Sequence, residues 1–221
     1  IGPFRHNLQA IQALERIEKS GQGLNLTLQV LDGILCHNGE MTEQQAAPEP
    51  GKTFKDFDRK MAAAVMGESP LPMSMEGCLV RVADTVSYIG RDIEDAISIG
   101  IVSREDIPRD VSDVLGDTNG KIVYALVEDL IASSTSGGVL YSPRVFSALQ
   151  RLKDFNYEKI YTNANVKRES SKIRDMYALV YSRLVEDVTE HDTTSRIFTG
   201  FLKRLGDRYR NTHNPFEMVR D

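Results

Sequence analysis

A chain of 221 residues is long enough for one sizeable hydrophobic core or two smaller ones, at a size where roughly 70% of the unfolded surface is buried. Hydrophobic residues make up 41% and charged residues 27%, a globular balance that excludes collagen-like, disulfide-scaffold and wholly disordered chains. The 27 Lys and Arg against 32 Asp and Glu leave a net charge of -5, a field that opposes binding to nucleic acid or an anionic membrane. No apolar stretch approaches the roughly 20 residues of a membrane span, and no secretory signal is visible. Cys36 and Cys78 lie far apart in apolar helical patterns, without metal-ligand spacing. Both read as buried thiols, and the chain reads as cytoplasmic.

The periodicity is helical almost throughout. Residues 6–19 carry Leu8, Ile11, Leu14 and Ile17 three apart on one drifting stripe, broken by Gly21 and Gly23. A second helix is predicted from Thr27, its N-cap, to His37, with Asn38-Gly39 as terminator. Residues 40–53 are polar, contain Pro48, Pro50 and Gly51, and read as an exposed loop. A short helix over 54–66 follows, then Pro70 and Pro72, then a long helix over 75–99. Downstream, helices are predicted over 108–115, from Thr118-Asn119 to 132, and from Ser142-Pro143 through 155 or beyond, the last pair being an N-cap followed by Pro at the first helical position. Helices over 168–187 and 194–210 complete the set, and the final residues are expected to fray. Only 138–141 suits an extended strand. With no repeat and no strand series, the fold class is all-α.

The helix over 75–99 argues for chemistry. At about 100° per residue, Leu79, Val82, Val86, Ile89, Ile93 and Ile97 gather in one sector, with Arg81, Asp84, Tyr88, Arg91, Asp92 and Asp95 opposite. Asp84, Tyr88 and Asp92 stand four apart, a ladder along roughly 12 Å of helix. Such a stripe is read either as a solvated face or as a binding face. A solvated face favours Glu, Lys and Gln, whereas Asp is a poorer helix former and a Tyr between two Asp gains little from water. A carboxylate on a rigid helix can ligate a divalent metal, and a phenol and second carboxylate beyond it can grip a sugar hydroxyl or a phosphate-bound water. One Asp cannot hold a catalytic metal alone, and the chain has four His: His6, His37, His191 and His213.

The run EGCLVRVADTVSYIGRDIEDAISIGI, the opening FRHNLQAIQALERIE and the GLNLTLQVLDGIL-H pattern after it resemble the C-terminal two-thirds of bacterial HD-domain deoxyguanosinetriphosphate triphosphohydrolase-like proteins. LGDTNGKIVYALVEDLI and SPRVFSALQRLKDFNYEKIY continue the resemblance in the same order. It implies an all-α metalloenzyme that hydrolyses deoxynucleoside triphosphates to the deoxynucleoside and tripolyphosphate. By the same resemblance, Asp84 is the last ligand of a divalent metal (Mg, Mn, Fe, Ni or Zn). Tyr88 and Asp92 touch the nucleotide's sugar and the neighbouring phosphate region, and His6 is the catalytic histidine near the scissile phosphate. Residues 1–100 would be the remainder of the HD-type core and 101–221 a C-terminal helical part, in a homo-oligomer.

The family takes its first His and its His-Asp pair from helices before FRHN, so this chain is expected to be a piece of a longer polypeptide and inactive alone. Glu190-His191-Asp192 follows Asp84 instead of preceding it and reads as an interhelical turn. His213 reads as a surface residue, and His37 as a cation near a helix C-terminus. Arg91 with Asp95 reads as a surface ion pair, and the basics at Lys167, Arg168, Lys172 and Arg174 as a solvated helix start. Two other functions stay open: a noncatalytic helical module that binds a nucleotide or a partner chain, and an HD-type phosphohydrolase of another nucleotide phosphoester.

Overall fold

The computed structural model describes residues 4–38 and 44–221. In chain order, the helices are α1 (His6–Gln12), α2 (Glu18–Gly21), α3 (Leu28–Cys36), α4 (Phe54–Val65), α5 (Met75–Ser98) and α6 (Arg109–Leu115). They continue with α7 (Asn119–Ser133), α8 (Pro143–Asn156), α9 (Ala164–Lys167), α10 (Ser170–Thr189), α11 (Asp207–Thr212) and α12 (Pro215–Arg220). The strands among the described residues are β1 (Gln45–Ala46) and β2 (Val139–Leu140), paired antiparallel with Gln45 opposite Leu140. The fold is all-α, and no helix among the described residues is long and apolar enough to cross a membrane. The chain forms two compact units: a central one, 28–167, and a terminal one, 1–27 with 168–221.

The central unit is built on α5, which packs against α3, α7 and α8. Ser74 caps its start, accepting from the Gly77 amide at 3.1 Å. The buried stripe Cys78, Val82, Val86, Ile89, Ile93 and Ala96 follows the 3.6-residue period. It joins Ile122, Leu126 and Leu130 of α7 and Leu149 and Leu152 of α8 in one core, each buried Leu or Ile stabilising by about 1.5–3 kcal/mol. Gly90 lets α7 approach: a Cβ there would lie 2.8 Å from Asn119 Oδ1 and 3.1 Å from Asn119 Cα. The predicted caps form, Thr118 accepting from Lys121 N and Ser142 from Val145 N, with Pro143 in the first turn of α8.

Two residues of α5 depart from the two-sided pattern. Leu79, placed on the apolar side, is 52% exposed. Arg81, placed with the polar ladder, is 7% exposed and points into the protein, where Nη1 donates to Cys36 O (3.2 Å) and Pro70 O (2.9 Å). Its guanidinium thus closes carbonyls left open at the end of α3 and in the proline-containing segment.

The predicted loop over 40–53 is less exposed than its polarity suggests. Its residues 40–43, and Gly39 before it, lie outside the described residues. Farther along, Ala46 is buried in β1 and the Lys52 side chain is 6% exposed. Lys52 Nζ donates to Asp32 Oδ1 of α3 at 2.9 Å and also to Leu71 O, while Asp32 Oδ2 accepts from the Met73 amide at 2.6 Å. Cys36 Sγ donates to Leu71 O at 3.3 Å. Residues 70–73 are thereby stitched to α3 immediately before the Ser74 cap, so this buried polar cluster sets where α5 begins.

In the terminal unit, Val188, Ile197, Leu202, Leu205, Tyr209 and Met218 form a core. The helix predicted over 6–19 ends at Gln12, widens into a π-turn over Ala13–Ile17 and then kinks through Lys19 and Ser20, both left-handed at φ 51° and 59°. Gly23 is required by the tight return: a Cβ would lie 2.0 Å from Glu15 O. The single helix predicted over 194–210 is instead a π-turn, a 3-10 turn and α11, separated by extended Leu205 and by Gly206. The expected fraying of the C-terminus is replaced by α12, held by an Asn214–Glu217 capping box, buried Met218 and the Tyr209 hydroxyl, which donates to Asp221 Oδ2 at 2.8 Å.

Candidate functional site

The ladder of α5 survives folding as a continuous helical face, with its three residues one turn apart. Asp84 is exposed, whereas Tyr88 and Asp92 are half-buried. Arg91 and Asp95 on the outer side pair at 3.5 Å and are both mostly exposed, the surface ion pair that their spacing predicts.

Beside Tyr88 the helix borders a cleft of about 210 Å³ lined by Tyr88, Ile89, Gln150, Lys153, Asp154, Tyr157 and Tyr161. Its far wall is the end of α8 and the π-turn Tyr157–Tyr161. Asn156 at the junction is wholly buried and its Nδ2 donates to Ile89 O at 2.9 Å, which pins the end of α8 to α5 one residue beyond Tyr88. Tyr161, on the last residue of the π-turn, donates its hydroxyl to Asp92 Oδ2. Burial, and then the bonded Asp92 carboxylate, push the Tyr161 phenol well above its ordinary range, so it remains a donor. Lys153, 9% exposed, lines the cleft beside Asp154.

Chemically, this surface combines the Asp154 carboxylate, several phenols, an amide and a lysine amine, with the hydrogen-bonded Asp92 carboxylate next to Tyr161. A carboxylate is an acceptor only and selects donors such as sugar hydroxyls, while aromatic rings cover the faces of a flat or cyclic ligand. The α8 side of the cleft was missed in the sequence, where 143–155 reads as one amphipathic helix. A signal was present: Gln150, Lys153, Tyr157 and Tyr161 recur at near-helical spacing.

His6 is carried by the terminal unit, exposed at the first residue of α1, with Asn7 buried beside it in sequence. Among the described residues no group of three or more His, Cys, Asp or Glu comes together to hold a metal ion. Asp84 offers a carboxylate oxygen on an exposed, rigid helix, and a single carboxylate does not make a metal centre. His191 adopts a left-handed turn at φ 56°, and Asp192 is engaged with the Thr194 amide (3.0 Å) and hydroxyl (2.6 Å), which hold its carboxyl below the usual range. His213 is less exposed than predicted, stacked on Tyr209 at 4.0 Å. His37 Nδ1 lies 2.6 Å from Ile34 O at the end of α3.

A deoxyguanosinetriphosphate triphosphohydrolase-like protein of Caldanaerobacter subterraneus subsp. tengcongensis is 31% identical over 188 residues, covering 85% of this chain and 47% of the relative. The chain is a relative of the deoxyguanosinetriphosphate triphosphohydrolase-like proteins. Proteins of the same name from Clostridium tetani (30% over 185 residues, 81% of this chain and 46% of the relative) and Clostridium perfringens strain 13 (30% over 224 residues, 94% and 58%) agree. The chain spans about half the length of the curated relatives it matches. No protein-family model matches it.

Proposed function

We propose that the protein carrying this chain is a metal-dependent hydrolase of deoxynucleoside triphosphates that releases the deoxynucleoside and tripolyphosphate. The observation that carries the reading is the α5 face itself, with Asp84 exposed and Asp92 fixed by Tyr161 beside an aromatic cleft, in a chain related to deoxyguanosinetriphosphate triphosphohydrolase-like proteins. Tyr88 packs against the sugar and Asp92 accepts from a sugar hydroxyl. Asp84 contributes one metal ligand, and His6 stands at the scissile phosphate as proton donor or as the group that orients the nucleophile. When bound, a divalent metal would neutralise phosphate charge and activate water. Homo-oligomeric assembly and a cytoplasmic location accompany the same reading.

The test is product analysis. The intact gene product is incubated with dGTP and each of Mg, Mn, Fe, Ni and Zn, and its products are separated by anion exchange. Deoxyguanosine and tripolyphosphate in equal amounts are expected. Stepwise release of phosphate or pyrophosphate would assign another phosphohydrolase chemistry, and no turnover with any metal would favour a noncatalytic nucleotide-binding module.

A further inference from the structure

We propose that the first half of α10 is a self-association surface: the stripe Ile173, Met176, Tyr177 and Val180 packs antiparallel on the same stripe of a second copy of this chain. The proposal stands apart from the nucleotide reading and gives the homo-oligomeric assembly named above its contact surface.

Helix α10 outruns its own core. Toward its C-terminus, Leu184, Asp187 and Val188 lie on one face against the core of the terminal unit, with Asp187 and Val188 buried. The same face continues toward the N-terminus for two turns as Ile173, Met176, Tyr177 and Val180, at i, i+3, i+4 and i+7. There its side chains stand between 49% and 68% exposed. Four large apolar side chains in register on one helix face mark a contact surface, unlike apolar residues scattered singly.

Two features select a second copy as the occupant. The spacing is symmetric about the midpoint between Met176 and Tyr177, so an antiparallel copy sets Ile173 against Val180 and Met176 against Tyr177, an isologous contact in which both copies use the same patch. The charges are complementary in that same orientation. Arg168 and Lys172 stand at the start of the helix and Glu186, Asp187 and Glu190 at its end, with no acidic residue in the first turn and no basic one in the last. This polarity runs against the helix dipole. Glu169 and Arg183 offset it locally, through pairs with Lys172 at 2.6 Å and with Asp187 at 3.0 Å. An antiparallel copy brings each basic start beside the other copy's acidic end and opposes the two dipoles.

The test places single cysteines on α10 of the intact gene product, followed by mild oxidation and non-reducing electrophoresis, with particle mass from light scattering. The native Cys36 and Cys78 are buried. A disulfide needs Cα atoms within about 7 Å. Tyr177→Cys, next to the two-fold axis, is expected to cross-link to itself. Ile173→Cys and Val180→Cys each stand about 10 Å along the helix from their own copies, so neither is expected to cross-link alone, whereas a mixture of the two is. Ser182→Cys, on the opposite face, is the control and is expected to stay uncross-linked. Ile173→Asp with Val180→Asp is expected to halve the particle mass with an unchanged circular dichroism spectrum. Self-cross-linking at 173, 177 and 180 alike means a parallel pair and overturns the proposal, as does the absence of any cross-link. A monomeric wild type removes the homo-oligomeric reading and this surface together; a maleimide that then fails to reach Tyr177→Cys assigns the stripe to another part of the same polypeptide. An oligomer whose mass the two Asp substitutions leave unchanged removes this surface alone.

Discussion

Asp32→Ala should destabilise the central unit by about 3–5 kcal/mol, the range for breaking a buried pair by deleting one partner. Asp32 is 1% exposed and the Lys52 side chain 6%, so loss of the carboxylate leaves an ammonium with little access to water. Asp32 accepts two bonds, from Lys52 Nζ at 2.9 Å and from the Met73 amide at 2.6 Å. At about 1.5–3 kcal/mol for each hydrogen bond to a charged group, the sum agrees with the pair estimate. At about 2–4 °C per kcal/mol for a chain of this size, the melting temperature should fall by between about 6 and 20 °C. Urea unfolding followed by circular dichroism gives the magnitude, and hydrogen exchange locates it. Amides of α3 and the first turns of α5 should lose protection before those of α10. Replacing both partners, as Asp32→Leu with Lys52→Met, should recover much of the loss, because no uncompensated charge remains. An Asp32→Ala variant within about 1 kcal/mol of wild type would refute the assignment of this pair as the clamp that sets the start of α5.

Glu94 takes both Arg104 guanidinium nitrogens (3.1 and 2.7 Å) and the Asn119 amide (3.1 Å), and Arg104 first of all holds its carboxyl below the usual carboxylate range. Its contribution is therefore complete above the unfolded pKa of about 4.3 and is lost as pH falls through the lower folded value. Glu94→Gln should cost about 1 kcal/mol at neutral pH and should flatten this part of the acid limb in a stability-versus-pH titration; an unchanged limb would exclude the pairing as its source. Burial pushes the Cys36 thiol up to about 12, so it should resist a disulfide reagent at pH 8 in the native protein and react fully only after unfolding. Native labelling at the rate of a free thiol would contradict that burial.

The parts legible in the sequence were those set by neighbours within a turn or two. The α5 ladder, the Thr118 and Ser142 caps and the extended residues before Tyr141 all follow from local spacing and capping chemistry. Arg81 did not, because its place on the polar side of α5 says nothing of the carbonyls that Cys36 and Pro70 bring to it from other segments. Tyr161 was invisible for the same reason, since its partner Asp92 is reached only when α8 lies on α5. Around 194–210 the apolar period runs through Gly206, while the packing of Leu202, Leu205 and Tyr209 into one core breaks the helix. The capping box of α12, Asn214 with Glu217 after Pro215, was a local signal that proximity to the chain end obscured.

Engagement of metal and nucleotide by the α5 face is tested by Asp84→Asn. In the intact gene product, metal content by mass spectrometry and tripolyphosphate release are measured side by side for wild type and variant. Loss of bound metal and a fall in turnover of more than about a hundredfold are expected, with the helical signal unchanged. Metal stoichiometry and turnover retained at wild-type levels would contradict it.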